Sequence, residues 1–193
     1  MKPARTAPAR QRGALLLEAL IAILICAFGL LGFAGMQARA TSAEFESYQR
    51  SQALVLIEDI TSRMNANRAN ASAYVDPGLI GAGAIANCSA LAGANLDLCE
   101  WANLLRGSAE TRGGVKVGSM FGARGCITRP TSSTDRYVIS IAWQGIIPTG
   151  APTSTCGQGD AAFPTASLRR VVSSVVCVGL LTDPAVAPST PRC

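Results

Sequence analysis

The chain has 193 residues, a length that allows one globular domain plus an extended element. Of these residues, 49% are hydrophobic and only 5% are aromatic. It contains no histidine, which removes the commonest general base and the commonest zinc ligand. The net charge of +5 is concentrated at the amino terminus, because Lys2, Arg5, Arg10 and Arg12 precede Gly13 without any acidic residue. The remaining 13 basic and 12 acidic residues leave no basic surface that would favour nucleic acid.

A basic leader, residues 1–13, is followed by an apolar run at residues 14–36 whose single charge is Glu18. As a helix, this run spans about 34 Å, enough to cross a hydrocarbon core of about 30 Å. The positive-inside rule predicts that the leader stays in the cytoplasm. An ionised carboxylate in such a segment costs about 2.5–3.5 kcal/mol on insertion scales, so Glu18 is a functional candidate.

The same segment also has features of a cleaved secretory signal peptide. Ala38-Arg39-Ala40 matches the small-residue cleavage pattern and would release a chain that begins at Thr41. The apolar run is, however, far longer than the usual hydrophobic region of roughly 7–15 residues. The helical pattern also continues past Ala40, so we favour a retained anchor.

Residues 37–68 are predicted to continue the same helix as an amphipathic segment. No proline occurs between Pro8 and Pro77, so one helix can run from about Ala14 to Arg68. Apolar residues recur at the three-and-four spacing of a helical stripe, which must be buried against a domain. The members of this stripe are Ala53, Leu56, Ile57, Ile60 and Met64.

Seven cysteines are present, and Cys26 lies inside the apolar run. The other six are typical of disulfides in an exported domain, and no C-x-x-C spacing suggests a metal or thioredoxin-type site. An oxidising compartment such as a bacterial periplasm fits this number. The six are Cys88, Cys99, Cys126, Cys156, Cys177 and Cys193.

Some pairings are favoured by their spacing. Cys88 and Cys99 flank the start of a short predicted helix, Asn95–Arg106, and suit a local disulfide. In this helix Asn95 or Asp97 can cap the start, Gly107 ends it, and Trp101 is expected in the core. Cys126 and Cys177 both lie in predicted strands and can bridge neighbours, which leaves Cys156 for Cys193. A Cys126–Cys156 bridge is equally compatible with the spacing.

Residues 69–193 are predicted to form a periplasmic globular domain. Residues 69–114 are interpreted as loops and the short helix, residues 115–181 as an antiparallel sheet, and residues 182–193 as a proline-rich surface tail. Between the last two strands, Ile146–Thr165 is expected to be irregular and exposed. The predicted fold class is α+β, with a long amino-terminal helix packed on the sheet. The predicted strands are Val115–Met120, Arg124–Arg129, Arg136–Trp143 and Leu168–Leu181.

Catalytic motifs are missing from the sequence. Ser173-Ser174 lies inside an apolar strand, where locally satisfied hydroxyls are the simplest interpretation. The glycine pairs lack the strand–helix context of a phosphate-binding loop. We therefore expect neither an enzyme nor a bound cofactor or metal.

The amino terminus resembles that of the type IV prepilins, whose leader ends in glycine and whose mature chain carries a glutamate at its fifth position. Gly13 matches the cleavage position, Ala14 the new first residue, where phenylalanine is usual, and Glu18 the glutamate. The string LLLEALIAILICAFGLLGFAGMQ, together with residues 50–68, looks like the PilV family of minor pilins. The resemblance covers residues 13–70, and beyond them it is one of general layout.

This resemblance implies a pilin-like fold and a minor pilin that helps to prime type IV pilus assembly. A prepilin peptidase would cut after Gly13 and methylate Ala14, and Glu18 would neutralise the freed amine of a neighbouring subunit. The implied partners are other minor pilins, the major pilin and a tip-associated adhesin. The implied location is the bacterial inner membrane with the domain in the periplasm, and then the pilus.

Two other interpretations remain open. A pseudopilin of a type II secretion system would carry the same anchor in a different filament. A secreted, disulfide-rich binding domain that begins near Thr41 would carry no anchor at all. The mature amino terminus separates the last interpretation from the other two.

Overall fold

The computed structural model describes residues 12–108, 111–112, 115–116, 120–132 and 135–179. The chain divides into two compact units, residues 1–44 and residues 45–193. The first contains the apolar run, and the second contains the sheet. The predicted leader up to residue 11 and the predicted tail, residues 182–193, lie outside the described residues.

The long helix predicted from the periodicity is present. Helix α1 runs from Arg12 to Ala66, and a 3-10 helix, Arg68–Tyr74, follows it. Four members of the predicted stripe are buried, and Leu56 is partly buried against them. The buried face also contains Gln49, although its polarity predicts a solvent-facing position. The amide group of Gln49 has no hydrogen-bond partner among the described residues.

Helix α2 spans Gly93–Leu105, close to the predicted bounds, and is followed by Gly107 in a left-handed conformation with φ +74°. The predicted capping by Asn95 or Asp97 is wrong, because the cap position is Ala92 and no side chain caps it. The side chain of Asp97 instead bonds to residues outside the helix. Trp101 is fully buried, as predicted.

An antiparallel sheet of four strands, in the order β1-β4-β5-β6, forms the other layer of the second unit. Strand β5 pairs along its full length with β6, from Arg136 opposite Cys177 to Gln144 opposite Arg169. A separate two-stranded ribbon is formed by β2 and β3. The strands are β1 Asp76–Ile80, β2 Thr111–Arg112, β3 Val115–Lys116, β4 Arg124–Thr128, β5 Arg136–Gln144 and β6 Arg169–Cys177.

Two strand predictions need correction. Strand β1 lies within residues 69–114, which the sequence predicts as loops and a short helix, and its first residues, Asp76-Pro77-Gly78, have the composition of a turn. Proline is tolerated there because β1 is an edge strand that pairs only with β4. Within the strand predicted at Val115–Met120, residues 117–119 lie outside the described residues, and Val115–Lys116 belongs to the small ribbon rather than to the main sheet.

The sheet has apolar residues on both faces of β5. On one face, Tyr137, Ile139, Ile141 and Trp143 join the buried stripe of α1 in the main core. On the other face, Ala142 packs with Cys156 and Phe163 from the segment that connects β5 to β6. The prediction that this connection is wholly exposed is therefore wrong, since part of it covers the sheet.

Two disulfides join described residues. The Cys88–Cys99 bridge confirms the predicted local pairing, and Cys126 is joined to Cys156. The alternative bridge from Cys126 to Cys177 is wrong, because β5 lies between their strands and separates them by two inter-strand spacings, about 9–10 Å. Cys156 is consequently unavailable for Cys193, which lies outside the described residues, while Cys177 is itself disulfide-bonded.

Removal of the Cys126–Cys156 bridge is expected to destabilise the second unit. The bridge closes a loop with a sequence separation of 30 residues, so the double change Cys126→Ser, Cys156→Ser should lower the free energy of unfolding by about 3–4 kcal/mol in the chain-entropy model. Pulse proteolysis in urea measures this loss. Cys26→Ser, at the exposed free cysteine, is the control, and an equal urea midpoint for both variants would contradict the prediction.

Candidate functional site

The apolar part of α1, residues 14–36, has no covering layer within the described chain. Its large apolar side chains are 48–71% exposed, and none of its most apolar 18-residue window is buried. The mean hydropathy of that window is 2.7, so the helix is long and apolar enough for a membrane span, and a signal sequence near the amino terminus would have the same properties. Exposed apolar surfaces of this extent are typical of sites that contact a membrane or another protein.

Glu18 lies on this exposed segment, one helical turn after Ala14. Residues separated by four positions share a helix face, so the carboxylate lies beside the start of the predicted mature chain. Glu18 forms no ion pair with another described residue. The bond between Gly13 and Ala14 lies in the first turn of α1, which begins at Arg12.

Three glycines, Gly29, Gly32 and Gly35, recur at every third position of the same segment. A methyl group added to any of them would meet no atom within 4 Å, so nothing inside the described chain requires glycine there. In membrane helices, small residues allow close approach of a second helix. The open space at these positions is compatible with such an approach.

The carboxyl-terminal part of α1 is joined to α2 by an ion-pair cluster. The guanidinium group of Arg63 contacts the carboxylates of Asp59 at 3.0 Å, Asp97 at 3.3 Å and Glu100 at 2.5 Å. Although partial burial by itself lowers the pKa of Arg63, these carboxylates outweigh it and raise the pKa overall. The cluster contains one guanidinium group and three carboxylates, and its ion pairs link the end of α1 to α2.

Tyr74 completes this cluster from the 3-10 helix. Its hydroxyl donates a hydrogen bond to Asp97, and burial together with this bond raises the pKa of Tyr74 to about 12. The spacing of Asp59 and Arg63, four residues apart, indicates one of the contacts, but the contacts with α2 have no local signal.

Trp101 links α2 to α1 through a second contact. Its indole N–H donates to the backbone carbonyl of Leu56 at 2.8 Å. The ring lies against β4 at Gly125, where an added Cβ would come within 2.4 Å of two ring carbons. Glycine at position 125 is therefore required by close packing against Trp101.

Two arginines bind the segment that connects β5 to β6 and fix its position on the sheet. Arg169 is buried and donates to the carbonyls of Ser154 at 2.7 Å and Cys156 at 2.6 Å, and burial lowers its pKa. Arg124 forms an ion pair with Asp160 at 3.2 Å. These contacts fix the segment over the sheet beside the Cys126–Cys156 bridge.

Hydroxyl groups in the sheet are likewise structural. The Oγ atoms of Ser140 and Ser173 are 2.7 Å apart across β5 and β6, so the partner of Ser173 lies on the neighbouring strand rather than within its own segment. No group of three or more His, Cys, Asp or Glu side chains suited to a metal occurs in the searched, described part of the chain. The exposed apolar segment with Glu18 is therefore the strongest candidate for function.

The other predicted site residues are placed as follows. Gly13 and Ala14 lie in α1, and five of the six predicted disulfide cysteines are disulfide-bonded. The apolar segment of residues 14–36 belongs to the first compact unit, and the sheet with the helical residues packed on it belongs to the second.

In comparisons with known proteins, no family model, curated protein or solved structure matches this chain.

Proposed function

We propose that this chain is a minor pilin of the PilV kind, which takes part in priming and assembly of the type IV pilus. The observation that carries the proposal is the exposed apolar helix of residues 14–36, whose one carboxylate, Glu18, stands one turn after Ala14. A further support is that α1 continues to Ala66 and buries its second half against an antiparallel, disulfide-linked domain. This is the layout expected of a subunit that is anchored first and polymerised afterwards.

The mechanism begins in the inner membrane. A prepilin peptidase hydrolyses the bond after Gly13 and methylates the freed amine of Ala14, which remains a cation. In a filament, where water is excluded, the carboxylate of Glu18 neutralises the amine of an adjacent subunit through a charge-assisted contact. Apolar helices attract one another only weakly in lipid, so this contact sets the axial position of the subunit.

The implied partners are other minor pilins, the major pilin and a tip-associated adhesin. Packing between apolar helices would hold the subunit in the complex, and the surface of residues 45–179 would select its neighbours. The protein would reside in the inner membrane with its domain in the periplasm until it enters the pilus. No catalytic step is assigned to the chain itself.

Mass spectrometry of the protein from its native host tests the proposal. We expect a mature chain that begins at Ala14 and carries a methylated amino terminus. A chain that begins at Thr41 would instead identify a secreted domain released by signal peptidase. Intact protein that is never cut after Gly13 would also overturn the proposal, because the amine that Glu18 is proposed to neutralise would not exist.

A further inference from the structure

Three large apolar side chains are exposed on two neighbouring loops of the second unit. Phe121 is 60% exposed, Ile146 51% and Ile147 46%. Phe121 belongs to the turn before β4, and the two isoleucines follow β5. We call these three residues the loop-tip patch.

The loop-tip patch lies beside the point where the chain enters this unit. The ring of Phe121 lies 6.0 Å from the ring of Phe45, centroid to centroid. The backbone N–H of Ile147 donates to Glu46 at 3.4 Å. The backbone carbonyl of Phe121 accepts from the N–H of Gln144 at 2.9 Å, which brings the two loops together. Phe45 and Glu46 are the first two residues of the unit.

The same entry point is close in sequence to the apolar segment. Met36 ends that segment and Phe45 follows nine residues later. Nine residues span about 14 Å as a helix and no more than about 32 Å when fully extended. Anchoring of residues 14–36 in a bilayer therefore keeps the entry point within about 32 Å of chain length from the end of the apolar segment, so that the patch beside it stays close to the lipid surface.

The polar groups under the patch are already paired with one another. The guanidinium group of Arg170 forms an ion pair with Glu46 at 2.9 Å and donates to the backbone carbonyl of Ile147. Partial burial by itself raises the pKa of Glu46, but the bonds from Arg170 and from the Ile147 N–H outweigh it, so that the pKa lies below its ordinary value. Contact with lipid would thus leave the charges of Glu46 and Arg170 paired with each other beneath the apolar side chains.

We propose that the loop-tip patch docks on the phospholipid surface while the protein is anchored, with Phe121, Ile146 and Ile147 inserted at the boundary of headgroups and acyl chains. Exposed apolar side chains gain free energy on entering this region, and tethering keeps them close to it. This inference rests on the anchoring step of the proposed function and not on filament assembly. Docking would hold the domain against the membrane until neighbouring subunits draw it away.

Photo-crosslinking in intact inner membranes tests the docking. The full-length protein is produced with p-benzoylphenylalanine in place of Ile147, of Val175 or of Phe28, and adducts are identified by mass spectrometry after irradiation. Val175 is the matched control, because it is 62% exposed but lies five residues along β6 from Arg170, about 16 Å away. Phe28 lies in the middle of the apolar segment and reports on anchoring.

We expect phospholipid adducts at positions 28 and 147 and none at position 175. Lipid adducts at position 28 without any at position 147, or protein adducts alone at position 147, would overturn the docking and leave the anchor intact. Equal lipid adducts at positions 147 and 175 would overturn the assignment of this surface. Absence of lipid adducts at position 28 would overturn the anchor, and the docking with it.

Discussion

Replacing Glu18 with alanine is expected to leave cleavage after Gly13 largely intact and to lower incorporation of the protein into filaments about 10- to 150-fold. The expected factor follows from the loss of a charge-assisted contact of about 1.5–3 kcal/mol with the amine of a neighbouring subunit. Cleavage should persist because Glu18 lies four residues beyond Ala14 and the new amino terminus does not include it. The measurements are the amount of protein in sheared pili relative to membranes and the mass of the mature amino terminus.

Two further variants make this experiment specific for charge. Glu18→Gln keeps the size of the side chain and one acceptor oxygen but removes its charge, and it should resemble Glu18→Ala. Leu17→Ala changes a neighbour that is also exposed without altering any charge, and it should remain close to the unaltered protein. Incorporation of Glu18→Ala as efficient as that of Leu17→Ala would remove the role assigned to Glu18.

Replacing Trp101 with alanine is expected to lower the free energy of unfolding of the second unit by about 3–5 kcal/mol. The indole is fully buried between α1, α2 and β4, so its removal leaves a cavity at the point where these three elements meet. A domain of ordinary stability has about 5–15 kcal/mol in total, so this loss is a large fraction of it. Pulse proteolysis of the full-length protein in urea measures the change without relying on tryptophan fluorescence.

Two comparisons separate packing from hydrogen bonding at this position. Trp101→Phe retains most of the buried ring but loses the N–H that donates to Leu56, and it should cost less than the alanine variant. Leu54→Ala removes an exposed side chain from α1, the helix to which Trp101 donates its hydrogen bond, and should stay within about 0.5 kcal/mol of the unaltered protein. A loss for Trp101→Ala no larger than that for Leu54→Ala would contradict the central place of Trp101.

Much of the fold follows from periodicity along the chain. The three-and-four spacing of Ala53, Ile57, Ile60 and Met64 predicted the buried face of α1, and all four are buried. The alternation from Tyr137 to Trp143 likewise predicted β5. Such patterns are readable because each residue's environment depends on a repeat of two or 3.6 residues within one element.

Other features depend on which elements become neighbours. Strand β1 forms although Asp76-Pro77-Gly78 has the composition of a turn, because the edge of β4 supplies its hydrogen bonds. The choice of Cys156 for Cys126 depends on β5, which lies between Cys126 and Cys177. The contacts of Arg63 with Asp97 and Glu100 bridge more than thirty positions, and no local pattern predicts them.

The chain's own residues determined the apolar segment, the single carboxylate within it and the amphipathic continuation of α1, because these are local properties of composition and spacing. Only the tertiary structure decided that the connection between β5 and β6 covers one sheet face, that Trp101 lies against Gly125, and that Phe121 meets Phe45 beside the entry of the chain. These are distances between residues remote in sequence, and they exist only once the sheet order and the packing of α1 and α2 are set.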